Sequence, residues 1–148
     1  MEEIRGTLSG VTVHNFDTVY DLVFTGERVI AVNIQHPLDT PPKYTWRTAF
    51  LGDGLDRHER NIERQRVARI RRETAKNASP AELLNLSGRN FEIPYARLTG
   101  VEVKRRFFEW RIIFTLRNDA KVLRHLAFYI NKTQVPEARR LTSQISNQ

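Results

Sequence analysis

Val19-Tyr20-Asp21-Leu22-Val23-Phe24-Thr25-Gly26-Glu27-Arg28-Val29-Ile30-Ala31-Val32 is the stretch that decides the fold class. Tyr20, Leu22 and Phe24 recur at every second position, the period of a strand with one face toward a core. Thr25-Gly26-Glu27 closes that run, and glycine supplies the backbone freedom that a tight turn uses. A second alternating run follows at once, with Ile30, Val32 and Ile34 on one face. Runs this close together form an antiparallel hairpin, because a parallel crossover needs about a dozen residues or more.

The same reading extends in both directions. Upstream, Leu8 to His14 is an apolar-rich run closed by the turn-like His14-Asn15-Phe16-Asp17, which makes the first third a three-strand meander. Downstream, Pro37, Pro41 and Pro42 stop any strand and begin an irregular stretch through Asp53. Leu55 to Lys76 reads as a charged helix whose apolar positions Leu55, Ile62, Val67 and Ile70 form no clean stripe. Such a helix lies loosely on its domain, bridges to a partner, or pairs with another chain. Ser79-Pro80-Ala81-Glu82 has the residues of a capping box with proline in the first turn, and Gly88 is placed to end the short helix that follows.

A second β region begins at Phe91–Tyr95, where Pro94 implies a short or edge strand. Leu98–Arg105 alternates, as do Trp110, Ile112, Phe114 and Leu116; Arg117-Asn118-Asp119-Ala120 is a hairpin turn, and Val122 to Ile130 makes the last strand. The tail from about 134 to 145 is helical, with Ala138, Leu141 and Ile145 on one face. The expected architecture is α+β and mainly β. It is a single domain over 1–148, an antiparallel roll or barrel of about seven strands closed by a C-terminal helix. The segment 36–79 is a helical insertion between the third and fourth strands.

Two motifs in this pattern resemble a known family. Thr25-Gly26-Glu27-Arg28-Val29-Ile30 is similar to the T-x-x-R-[IV]-[IV] hairpin of prokaryotic pleckstrin-homology-like (PH-like) and GRAM-like domains. Ile93-Pro94-Tyr95-Ala96-Arg97-Leu98-Thr99-Gly100-Val101 is similar to their I-P-Y-x-x-I-x-x-V strand pair. The resemblance covers about residues 1–35 and 80–146, and the insertion departs from a minimal domain of this type. It implies a module that binds phosphoinositides, peptides or proteins, or that serves in assembly, and not an enzyme. Phosphoinositide-binding members carry a basic cluster between the first two strands. Here that loop has no Lys or Arg, so the usual mode of phosphoinositide binding is not expected.

Composition narrows the chemistry. The 148 residues contain no cysteine, which excludes disulfide scaffolds, thiolate metal clusters and thiol nucleophiles. No apolar run approaches the roughly 18 residues of a membrane span, and Met1-Glu2-Glu3-Ile4-Arg5 does not read as a signal peptide, so a soluble, cytoplasmic domain is expected. The net charge is +7, and 19 of the 24 cations are arginine, whose planar fork suits carboxylates and phosphates. That excess points to an anionic partner. The four histidines, at 14, 36, 58 and 125, fall in no metal-ligand spacing. His58 and Glu63 beside Asp53 and Asp56 are acids and a histidine at a helix start, where acids ordinarily serve the helix dipole. Gly52-Asp53-Gly54 reads as a turn, and no nucleophile elbow or paired-carboxylate signature appears. Neither catalysis, a metal nor a cofactor is expected.

Two basic clusters remain as candidate sites. Lys104, Arg105, Arg106 and Arg111 flank Phe107, Phe108 and Trp110 at a hairpin, a combination that seats on an anionic membrane surface or protein partner, or stacks nucleic-acid bases. The competing reading folds Phe107 and Phe108 back onto the barrel. Arg57, Arg60, Arg64 and Arg71 fall within about 60° of arc on the charged helix, a stripe that serves as an alternative nucleic-acid site or pairs with Glu59, Glu63 and Glu73. The same helix, lacking an apolar stripe, is also a candidate for pairing in a homo-oligomer.

Overall fold

A computed structural model of the chain describes residues 2–13, 18–39, 54–120 and 122–146, with the side chains of 54–57 outside the description. The strands are β1 (Ile4–Thr12), β2 (Val19–Thr25), β3 (Arg28–Gln35), β4 (Phe91–Pro94), β5 (Leu98–Arg106), β6 (Glu109–Arg117) and β7 (Leu123–Ile130). Between β3 and β4 come helices α1 (Gly54–Lys76) and α2 (Pro80–Asn85), and α3 (Val135–Ser146) ends the described chain. All strands join one antiparallel sheet in the order β4-β3-β2-β1-β7-β6-β5, so the expected mainly β, α+β class with seven strands and a C-terminal helix is observed. The expected turn at 14–17 and most of the Pro-rich stretch lie outside the described residues.

The hairpin at Thr25–Arg28 holds the two quoted motifs together. Thr25 Oγ1 accepts from the Glu27 and Arg28 amides at 3.2 and 3.1 Å. Arg28 pairs opposite Pro94 and Val29 opposite Ile93. The Tyr95 hydroxyl donates to the Thr25 carbonyl at 2.8 Å, and its amide donates to the Glu27 carbonyl at 3.0 Å. Burial pushes the Tyr95 phenol up to about 12. Arg28 reaches Glu2 at 2.8 Å and Glu92 at 2.6 Å, tying the chain start to this corner. These residues build the fold; they are spent on contacts within it.

Strand β1 begins four residues before the expected Leu8, because Ile4 to Thr7 present no buried alternating face and the register shifts between Ile4 and Gly6. A second irregularity lies inside the expected run. Leu8 and Val11 both enter the core though they are three apart, because the register slips between them and Gly10 takes φ +68. The Gly10 amide donates to Asp21 Oδ1 at 2.8 Å. The bulge lets Leu8 and Val11 share the core face despite their odd spacing.

The main core lies between the inner face of the sheet and α3. Phe24, Phe114 and Phe128 meet there, with ring centroids 6.4 Å apart for Phe24–Phe114 and 6.1 Å for Phe114–Phe128. Val135, Ala138 and Leu141 of α3 are buried against them. A second cluster forms on the outer face of β2 and β3, where Val23, Ile30, Val32 and Ile34 pack on Ala68 of α1 and Leu83 of α2. The insertion is therefore a roof over one half of the sheet. Its helix needs no wide apolar stripe, because small residues make the contact and charged anchors fix it. Arg71 pairs with Asp39 at 2.6 Å and Arg72 with Asp21 at 3.1 Å.

Helix α2 has the expected cap: Ser79 Oγ accepts from the Glu82 amide at 3.3 Å, and Glu82 Oε2 accepts from the Ser79 amide at 3.1 Å. Its end differs from the expectation. The cap residue is Leu86 in right-handed helical backbone, and Gly88 lies beyond it.

Candidate functional site

Strands β5 and β6 pair from Leu98–Leu116 to Arg106–Glu109, leaving Phe107 and Phe108 as a two-residue apex. Both rings project outward: Phe107 is 81% exposed and Phe108 90%. The reading in which they fold back is not what the structure adopts. Phe107 has φ 57, the left-handed region that favours glycine and is uncommon for a bulky side chain. Arg105 Nε donates to the Phe107 carbonyl at 3.0 Å, and the Arg106 guanidinium carbon lies 5.8 Å from the Phe107 ring centroid. A strained, solvent-facing aromatic held in place by its neighbours is a feature found more at functional sites than in turns built for stability.

The basic residues around the apex divide by strand alternation. Lys104 lies opposite Arg111, and Arg106 opposite Glu109, on the outer face. Arg105 lies opposite Trp110 on the inner face. Lys104 pairs with Glu102 at 3.7 Å. Arg111 is half-buried and sits between Lys104 and Tyr129 across the strands, with its Nε lacking a hydrogen-bond partner. The six sequence-selected residues thus surround one apex but present two cationic faces, Arg105 alone on one of them.

Beside the apex is an open cavity of about 420 Å³, lined by residues from both faces of the hairpin. Its walls come from Gly10 and Thr12 of β1, from Arg105 and Phe108 to Trp110 of the hairpin, and from Tyr129 to Lys132 at the end of β7. Trp110 is capped by the Arg139 guanidinium, 5.3 Å from its ring. Thr12, Asn131 and Lys132 belong to this site and were not legible as site residues, since the β1–β7 pairing that brings them here is a long-range contact at Thr12–Tyr129.

The arginine stripe of α1 is placed differently. Arg60, Arg64 and Arg71 are half-buried on the flank that carries Ala68 onto the sheet, and the Arg57 side chain lies outside the description. Arg71 bridges Asp39, at 2.6 and 2.9 Å, and the Ile34 carbonyl, at 3.0 Å. Arg89 adds a second guanidinium to Asp39 at 3.0 Å. Burial raises the Asp39 carboxyl, but Arg71, the His36 amide and Arg89 outweigh it and hold the group below its ordinary value. Of the helical glutamates, Glu63 pairs with Arg66 at 3.6 Å, outside the stripe. Among the described residues no three His, Cys, Asp or Glu side chains gather as a metal site, and Asp53 and the Asp56 side chain lie outside them. His125 is exposed on β7 and hydrogen-bonds Thr115 at 3.1 Å. No helix among the described residues is long and apolar enough to cross a membrane.

Comparison with protein-family models, with curated proteins and with solved structures gave no match to this chain.

Proposed function

We propose that this chain is a non-catalytic docking module of the PH-like kind, which seats its β5–β6 apex on an anionic surface, a membrane leaflet or an acidic protein face. One observation carries the reading: adjacent, fully outward Phe107 and Phe108, the first on glycine-type backbone, ringed by Lys104, Arg105, Arg106 and Arg111. Two rings are too little apolar surface to hold a stable protein interface, which buries roughly 800 Å² per partner. Two rings with cations set one residue behind them match the layout of an interfacial membrane, apolar below the headgroups and negative at them. The nucleic-acid alternative has less support at the α1 stripe, where Arg71 is committed to Asp39.

Co-sedimentation with vesicles containing anionic phospholipid, across a salt series, tests this. The native chain pellets, and pelleting falls at least about ten-fold for Arg105→Glu with Arg106→Glu, and for Phe107→Ala with Phe108→Ala. Unchanged pelleting of both well-folded variants overturns the reading. Release by a mixed oligonucleotide, with a steep salt slope, assigns the basic surface to nucleic acid instead.

A further inference from the structure

The cavity beside the apex has a charge pattern of its own. Arg105 and Lys132 line it from opposite sides in sequence, and Glu109 lines it with them. Among the described residues none of the three makes an ion pair, so two cations and one carboxylate border the cavity without an ionic partner. The Arg105 Nε is held by the Phe107 carbonyl, which leaves the two terminal nitrogens of the fork for a ligand. Trp110 and Phe108 supply an apolar side to the same space, and Phe108 is also half of the exposed apex. A volume of about 420 Å³ falls within the range of small-ligand sites.

A ligand that complements this arrangement carries two anionic groups and one cation on a short frame. We infer that the cavity is a headgroup site for a phospholipid of the phosphoserine type, phosphate and carboxylate on Arg105 and Lys132, ammonium on Glu109. The inference rests on the membrane form of the docking reading, since Phe108 would enter the leaflet while its neighbour Glu109 meets the headgroup. It adds that docking is selective and saturable. A purely electrostatic surface would rank anionic lipids by charge alone, and Glu109 would then only weaken binding.

The test compares phosphatidylcholine vesicles carrying phosphatidylserine with vesicles carrying phosphatidylglycerol at the same anionic fraction. The native chain binds the serine lipid about five-fold more tightly, a single charge-assisted contact's worth of discrimination. Lys132→Ala removes most of that preference. Glu109→Gln removes it too but strengthens binding to phosphatidylglycerol, an opposite response that no loss of fold imitates. Soluble glycerophospho-L-serine competes for the native chain and not for Lys132→Ala. Equal binding to the two lipids, with both pelleting, overturns the headgroup site and leaves the apex reading standing. No pelleting with either lipid overturns both the headgroup site and the membrane form of the apex reading. Binding of glycerophosphoserine in solution without any preference on vesicles overturns the lipid assignment and gives the cavity to a soluble ligand.

Discussion

The two halves of the sheet meet solvent differently. The outer face of β2–β3 is roofed by α1 and α2, so both strands are buried on both sides. The outer face of β5–β7 carries Lys104, Arg106, Arg111 and Ile113, and no second cluster forms over it among the described residues. Burying both faces converts apolar area into stability. Leaving one face open costs burial and keeps cations, a protruding apex and a cavity available. The difference teaches that the insertion, the least apolar part of the chain, works as structure, while the plain hairpin opposite it holds the candidate chemistry.

The sharpest way to break this comparison is to make one deletion on each outer face. Ile30, 0% exposed under the roof, loses about 3 kcal/mol of stability as Ile30→Ala, because the cavity left behind cannot collapse between two packed layers. Ile113, half-buried on the open face, loses about 1 kcal/mol as Ile113→Ala. Denaturant titration of both measures the gap. Equal losses would mean that the open face is covered in solution and the contrast is false.

A smaller effect sharpens what fixes the roof. Asp39, with its side chain 8% exposed, joins Arg71 of α1 to Arg89 ahead of β4. Asp39→Asn costs about 1–2 kcal/mol, discounted because both arginines are partly solvated. The native carboxyl sits below its ordinary value of 3.8, so its contribution is complete above that pH. It fades as the pH falls through the lowered native value. Melting followed from pH 6 to pH 2 should show the native protein losing that increment at the acid end while Asp39→Asn has none to lose. Parallel curves would assign the anchoring elsewhere.

The smallest effect concerns the apex and has the opposite sign. Phe107→Gly relieves left-handed backbone at a ring that is 81% exposed, and should raise stability by up to about 1 kcal/mol while weakening vesicle binding. Thermal melting paired with co-sedimentation reads both. Lower stability would show that the ring serves packing, and the functional contrast between the halves would fail with it.

Much of the fold was legible because its signals are local. The alternation Trp110-Ile112-Phe114-Leu116, the Thr25–Arg28 turn and the Ser79–Glu82 cap each act over a few residues. The true start of β1 was hidden because Ile4, Arg5 and Thr7 are exposed and offer no buried alternating face to read. The double burial of β2 and β3 left a trace in the unbroken runs Leu22-Val23-Phe24 and Val29-Ile30-Ala31-Val32, where both faces are apolar. That signal predicts a second layer without naming it.

By itself the sequence determined the strands, the helices, their antiparallel pairing and the aromatic-basic apex, because period, turn chemistry and capping are properties of neighbours. Only the tertiary structure decided that the arginine stripe turns inward to Asp39, that Phe107 and Phe108 stay outside, and that Lys132 joins Arg105 around one cavity. Those outcomes depend on which distant segments share a face. No local pattern specifies that; the competition among burial, charge pairing and chain closure does.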